Sequence, residues 1–239
     1  MKKIVLLIVT SIILLGSSCS PVRQDYLQQM REFEAEGYEG REITRERVAE
    51  LEAQIQEYAE RVDEIVDTMQ DIGFAYKMIA RQLMDREMYG QALEYYRQAI
   101  EYFPTNKILH YYAGLCAGQM YVATEADQEA SEYLNAAVEF YQQAIANVSG
   151  YVDALYALSV IYIFELDQPE EAQPLLERII EGESQNVEAR FLLARVYVQQ
   201  NRIEEAIDLY DTIIEVANSA EARQQAEANK QQLTERGGM

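Results

Sequence analysis

The sequence predicts an all-α protein: an α-solenoid of antiparallel helix pairs, preceded by a long N-terminal helical hairpin and closed by a C-terminal capping helix. Three observations carry this. Proline is scarce (4 of 239 residues), glycine is modest (11), and long alternating Val/Ile/Thr runs are missing, a composition that favours helices over sheets. A 34-residue pattern of small and large apolar residues recurs four times between residues 73 and 220. Upstream, residues 44–70 place apolar side chains at alternating spacings of 3 and 4, a helical period.

The first element, residues 1–18, stands apart from the fold. Lys2 and Lys3 precede an apolar run from Ile4 to Leu15, and small residues lead to Cys19. Charge, apolar core and small residues in that order make a secretory signal. A bilayer-spanning helix needs about 20 apolar residues, more than this run supplies. Gly16-Ser17-Ser18-Cys19 resembles a bacterial lipoprotein signal, which implies cleavage before Cys19 and lipidation of its thiol. The strict signal wants an aliphatic residue at −3, whereas Leu15 and Leu14 stand at −4 and −5. The alternative is ordinary cleavage that leaves Cys19 a free thiol. Cys116 is the only other cysteine, so a lipidated Cys19 excludes a disulfide within the chain.

Residues 19–72 form a tether and a helical segment. Residues 22–35 read as a short helix and 44–70 as a long one of about 40 Å. In the long one, Val48, Leu51, Ile55, Tyr58, Val62, Ile65 and Met69 repeat over three heptads. Two arrangements fit this pattern. The two helices fold into a hairpin that caps the first repeat, or the long one makes a coiled coil with a second copy.

The four repeats occupy residues 73–106, 107–151, 152–186 and 187–220. With Pro104 at position 32, the first unit has Tyr76, Ile79, Ala80 and Leu83 at positions 4, 7, 8 and 11, then Ala92, Tyr96 and Ala99 at 20, 24 and 27. The second repeats this with Ala113, Gly114, Ala137, Tyr141 and Ala144. The third has Leu155, Leu158, Ser159, Tyr162, Ala172, Leu176 and Ile179. The fourth has Leu193, Ala194, Tyr197, Ala206, Tyr210 and Ile213. Small residues at 8 and 20 let two antiparallel helices approach, and large ones at 11 and 24 fill the space beside them. The pattern resembles the tetratricopeptide repeat (TPR), which implies an α-solenoid that binds protein partners. The second unit carries about 11 extra residues between its halves, almost three helical turns, enough to lengthen each helix by about a turn and a half. Pro174 is expected at the start of the third unit's second helix, where proline is tolerated. Residues 221–239 continue a polar helix, N-capped by Ser219, that closes the array.

The net charge is −21 and becomes −23 without residues 1–18, because removing Lys2 and Lys3 leaves 18 basic against 41 acidic residues. Nucleic acid is excluded as a partner, since phosphate backbones demand a basic face. The sequence contains no GxSxG, HExxH, P-loop or GxGxxG motif. We therefore expect no catalytic residue, no cofactor, no metal and no enzymatic activity. The lone histidine, His110, reads as a packed helix residue, and Cys116 as a buried small hydrophobe.

The TPR resemblance implies that positions 2, 5, 9, 12 and 13 of each first helix face a binding groove. Position 5 gives Lys77, Tyr111, Tyr156 and Phe191, and position 9 gives Arg81 and Arg195 beside Leu115 and Val160. The expected groove residues are Lys77, Arg81, Tyr111, Tyr156, Phe191 and Arg195, unless the three aromatics pack into neighbouring helices. Aromatic and arginine side chains dominate interface energetics, and basic residues at both ends suit an acidic or apolar peptide. The chaperone-type carboxylate clamp is not copied: Lys77 is present, but Arg81, Tyr111 and Leu115 replace its other members. The expected protein is thus a lipid-anchored TPR scaffold at the periplasmic side of a bacterial membrane, with the outer membrane weakly favoured by Ser20. The alternatives are a ligand-binding accessory lipoprotein of a solute transporter, and a homo-oligomeric structural protein assembled through 44–70.

Overall fold

The computed structural model describes residues 45–237; the expected signal, Cys19 and the 22–35 helix lie outside the described residues. Among the described residues there are nine helices and no strand. They are α1 (Arg45–Met84), α2 (Tyr89–Tyr102), α3 (Lys107–Ala123), α4 (Asp127–Asn147), α5 (Val152–Phe164), α6 (Pro169–Gly182), α7 (Val187–Gln199), α8 (Ile203–Val216) and α9 (Ala220–Gly237). No helix of the described residues is long and apolar enough to cross a membrane. The chain divides into two units, Met1–Asp63 and Glu64–Met239. Within the second, the end of α1 pairs with α2, then α3 with α4, α5 with α6 and α7 with α8.

The boundary expected at residue 72 falls inside α1, which runs for 40 residues. Gly73 does not break the helix; it serves a close approach instead. A Cβ there would sit 2.6 Å from both Phe103 Cε2 and Tyr102 Cβ. The heptad side chains upstream are exposed: Ile55 at 65%, Val62 at 56% and Ile65 at 59%.

The repeat positions build the core as the spacing predicts. Ala80, Gly114, Ser159 and Ala194 at position 8 are all buried, as are Ala92, Ala137, Ala172 and Ala206 at position 20. Tyr96, Tyr141, Leu176 and Tyr210 at position 24 pack beside them. At Gly114 the approach is tight: a Cβ there would meet the Tyr141 ring at 2.7–3.0 Å. Ile79 departs from the pattern, since position 7 is buried in the other three units but exposed in the first.

The turns are also periodic. Glu87, Asp167 and Asn201 take positive φ (60°, 51° and 60°) after the first helix of units one, three and four. The following amide then reaches back, Met88 N–H to Leu83 O at 3.0 Å and Arg202 N–H to Tyr197 O at 2.8 Å. This left-handed closure satisfies the last carbonyls of a helix.

Between repeats, the side chain at position 4 closes the turn. His110 Nε2 lies 2.8 Å from Pro104 O, and Arg190 Nη2 donates to Ser184 O at 2.7 Å. Arg223 Nη1 donates to Ala217 O at 2.9 Å in the turn before α9. Each bond spans six residues. Position 4 of the third unit is Leu155, which cannot donate. The corresponding carbonyl, Ser149 O, accepts from Arg178 Nη2 on α6 instead. The lone histidine is thereby explained as a turn-closing donor.

Two expectations need correction. The insertion in the second unit is not shared equally: α3 has 17 residues and α4 has 21, against 13 and 14 in the third unit. Most of the extra length therefore extends α4. Pro174 lies inside α6 rather than at its start; Pro169 takes the first position. At the sixth residue, Pro174 has no N–H to offer the carbonyl four residues back, and it lies on the exposed face of the helix. Ser219 caps α9 as expected, its Oγ accepting from Ala222 N–H at 3.3 Å.

Candidate functional site

The first helices of units two, three and four line a cavity of about 580 Å³. Its walls follow from the repeat register. From α3 come Tyr111, Leu115, Gly118 and Gln119, at positions 5, 9, 12 and 13. From α5 come Asp153, Tyr156 and Val160, at positions 2, 5 and 9, and from α7 comes Glu188 at position 2. Tyr141 contributes from behind, because position 24 of α4 packs under Gly114.

The aromatic wall is held by ring contacts. Tyr111 lies 5.4 Å from Tyr112, 6.0 Å from Tyr141 and 5.5 Å, edge on, from Tyr151. Such offset and edge-on pairs are favourable geometries for rings. Tyr111 and Tyr156 are half-buried. Burial, and after it the Asp153 carboxylate, raises the Tyr111 hydroxyl above its ordinary value. Burial and then Glu188 do the same to Tyr156. Both hydroxyls therefore hold their protons more tightly than a free tyrosine does. Asp153 and Glu188 sit in the first turns of α5 and α7, where a helix N-terminus favours negative charge.

The six residues expected in the groove separate into two groups. Tyr111 and Tyr156 line the cavity. Phe191, next in the same row, packs 6.1 Å from Tyr210 in the last repeat. The three bases are engaged elsewhere. Arg81 Nε bonds Asp85 Oδ1 at 2.9 Å and Nη1 bonds the Tyr112 hydroxyl at 3.1 Å. Lys77 Nζ lies 6.0 Å from the Phe74 ring, and Arg195 lies 4.5 Å over Phe164. None of the three is among the cavity's lining residues. Sequence reasoning named position 2 as inward but did not read it across the units. Doing so finds Phe74, Ile108, Asp153 and Glu188, and the two carboxylates are what gives the cavity its charge. Among the described residues no cluster of His, Cys, Asp or Glu is arranged to hold a metal ion.

Comparison with known proteins agrees with the repeat fold. Tetratricopeptide repeat families match residues 77–152 and 164–229, together more than half of the chain. A TPR repeat-containing protein of Borreliella burgdorferi is 23% identical over 172 residues, covering 70% of this chain and 75% of that protein. TTC0263, a thermophilic TPR protein of Thermus thermophilus, superposes with a TM-score of 0.53 at 20% identity, covering 74% of this chain and 95% of that one. YrrB, described as a TPR protein with an unusual peptide-binding site, gives 0.52 at 23% identity, over 71% and 83%. Residues 41 to the end of MamA from Desulfovibrio magneticus RS-1 give 0.54 at 14%, over 69% and 94%. These structures share the fold. Four helix pairs with small residues buried at positions 8 and 20, and two matched stretches spanning them, make this chain a tetratricopeptide-repeat protein.

Proposed function

We propose that this chain is a lipid-anchored scaffold of the bacterial envelope, with Cys19 lipidated, the repeats facing the periplasm, and the outer membrane favoured by Ser20. The inner face of the repeats takes an extended segment of a protein partner. The tetratricopeptide fold supports protein interaction, and one observation carries the site: Tyr111 and Tyr156, from successive repeats, line one cavity of about 580 Å³. The similar fold of YrrB, described as having a peptide-binding site, adds support. We assign the chain no reaction.

The anchor and the groove are tested separately. Cys19→Ala should move the protein from the membrane to the soluble fraction; retention in the membrane would end the lipid-anchor reading. A crosslinked pull-down of the native form beside Tyr111→Ala/Tyr156→Ala tests the groove. A partner held equally by both forms would place binding elsewhere.

A second reading rests on α1. Its apolar heptad side chains are exposed, as an interface with a second copy would require. Sedimentation of the full chain beside an Ile55→Lys/Val62→Lys form decides it: self-association that both forms share, or that neither shows, removes this reading.

A further inference from the structure

The cavity's chemistry narrows the partner. Resting on the peptide-binding reading above, we infer that the Tyr111–Tyr156 cavity seats a lysine or arginine side chain of an extended peptide, its cation among the tyrosines, Asp153 and Glu188.

The lining residues include two carboxylates and no basic group. Elsewhere, the protein's own cations already occupy ring faces. Arg81 lies 5.3 Å over Tyr112, Lys107 Nζ 4.5 Å over Tyr151, and Arg202 4.0 Å over Tyr197. Among the described residues none lies over Tyr111 or Tyr156. Ring faces beside carboxylates, without a cation, are complementary to an ammonium or guanidinium group. Two bases near the rim are already engaged: Lys107 lies over Tyr151, whose ring meets Tyr111 at 5.5 Å, and Arg190 donates to Asn186 O and Ser184 O.

The rest of the cavity suits the remainder of such a side chain. Leu115, Val160 and Ala157 supply an apolar wall for an aliphatic stem, which buries readily while its charged end finds polar partners. Gln119 offers an amide group to a bound backbone, while the Asn186 amide caps α7 and bonds Glu183. The lining comes from three successive repeats, so it follows the array as an extended chain would. The mature chain's surplus of acidic residues also speeds encounter with a basic partner.

The test uses the purified full chain and a displayed library of random linear heptapeptides. Selected peptides should be enriched in Arg and Lys and depleted of Asp and Glu. The fluorescein-labelled consensus peptide should lose about tenfold in affinity when its cationic residue becomes citrulline or acetyl-lysine. Asp153→Asn/Glu188→Gln should lose a similar factor and no longer distinguish the charged from the neutral peptide. Both carboxylates are exposed enough for these near-isosteric changes to leave helicity intact, which circular dichroism checks. Gly118→Leu, which fills the cavity where a Cβ meets nothing within 4 Å, should abolish binding altogether. If peptides bind and Gly118→Leu blocks them, but the consensus is neutral or acidic, the cationic inference is wrong and the peptide reading stands. If no peptide is selected, or Gly118→Leu has no effect, the peptide reading fails and takes this inference with it. Free agmatine binding as tightly as the peptides would make the cavity a small-amine site, and the peptide occupant would be rejected.

Discussion

Two glycines one turn apart on α3 should respond to the same substitution with opposite signs. Gly114 and Gly118 both sit inside the helix, where alanine is favoured over glycine by about 1 kcal/mol. At Gly118 a Cβ meets nothing within 4 Å, so Gly118→Ala should stabilise by about 0.5–1 kcal/mol. At Gly114 the new Cβ would stand 2.7, 2.9 and 3.0 Å from three atoms of the Tyr141 ring. That ring is 3% exposed and packed in the core, so it yields only by repacking its neighbours. Overpacking of this kind costs about 1–3 kcal/mol, so Gly114→Ala should be net destabilising by about 1–2 kcal/mol. The two variants should differ by about 1.5–3 kcal/mol in urea unfolding followed by far-UV circular dichroism, with unchanged m-values. A Gly114→Ala form as stable as Gly118→Ala would refute the close approach of α3 and α4 argued from position 8.

Three further outcomes follow from particular residues. Glu87 takes φ 60°, costly for a side chain with a Cβ, so Glu87→Gly should raise stability by about 0.5–1 kcal/mol in the same assay. No gain would mean that the turn is not strained. Arg190→Met keeps the stem but removes donors to Asn186 O (3.1 Å) and Ser184 O (2.7 Å); it should cost about 1–2 kcal/mol, with faster amide exchange in residues 183–187 as the local signature. Burial pushes the Cys116 thiol from its ordinary 9.0 up to about 12, and raises the buried Tyr96 and Tyr141 hydroxyls above their ordinary 10.0. The fold thus binds protons that the unfolded chain releases. Their stabilisation is intact below about pH 9 and is lost as pH rises toward 12. The urea midpoint should therefore fall steadily above about pH 9, and maleimide should label Cys116 only after unfolding. A flat midpoint or rapid native labelling would contradict its burial.

Helix pairing was legible because it rests on local periodicity. Ala92, Ala137, Ala172 and Ala206 recur at one position, and only small residues there let two helices touch, so spacing alone located the core. The turn-closing role of position 4 was less visible. His110, Leu155 and Arg190 share no residue type, and their common feature is a turn carbonyl six residues back, supplied with a donor from elsewhere when Leu155 cannot give one. The division of the 11-residue insertion was not legible either, since its residues form helix equally well on either side of the turn.

The candidate site divides along the same line. Tyr111 and Tyr156 were found because position 5 recurs at a fixed interval and turns the same way in each repeat. The fate of the bases was not readable. Lys77, Arg81 and Arg195 have long side chains, and only the folded neighbourhood decides which ring or carboxylate each one reaches. Arg81 finds Asp85 one turn away and Tyr112 on the next repeat. The sequence by itself determined the repeat, its register and which backbone positions turn inward, because these depend on residue size at helical intervals. The tertiary structure decided the charge of the cavity. Asp153 and Glu188, 35 positions apart, come together only when α5 and α7 stack, while the bases fold back onto aromatic faces of their own.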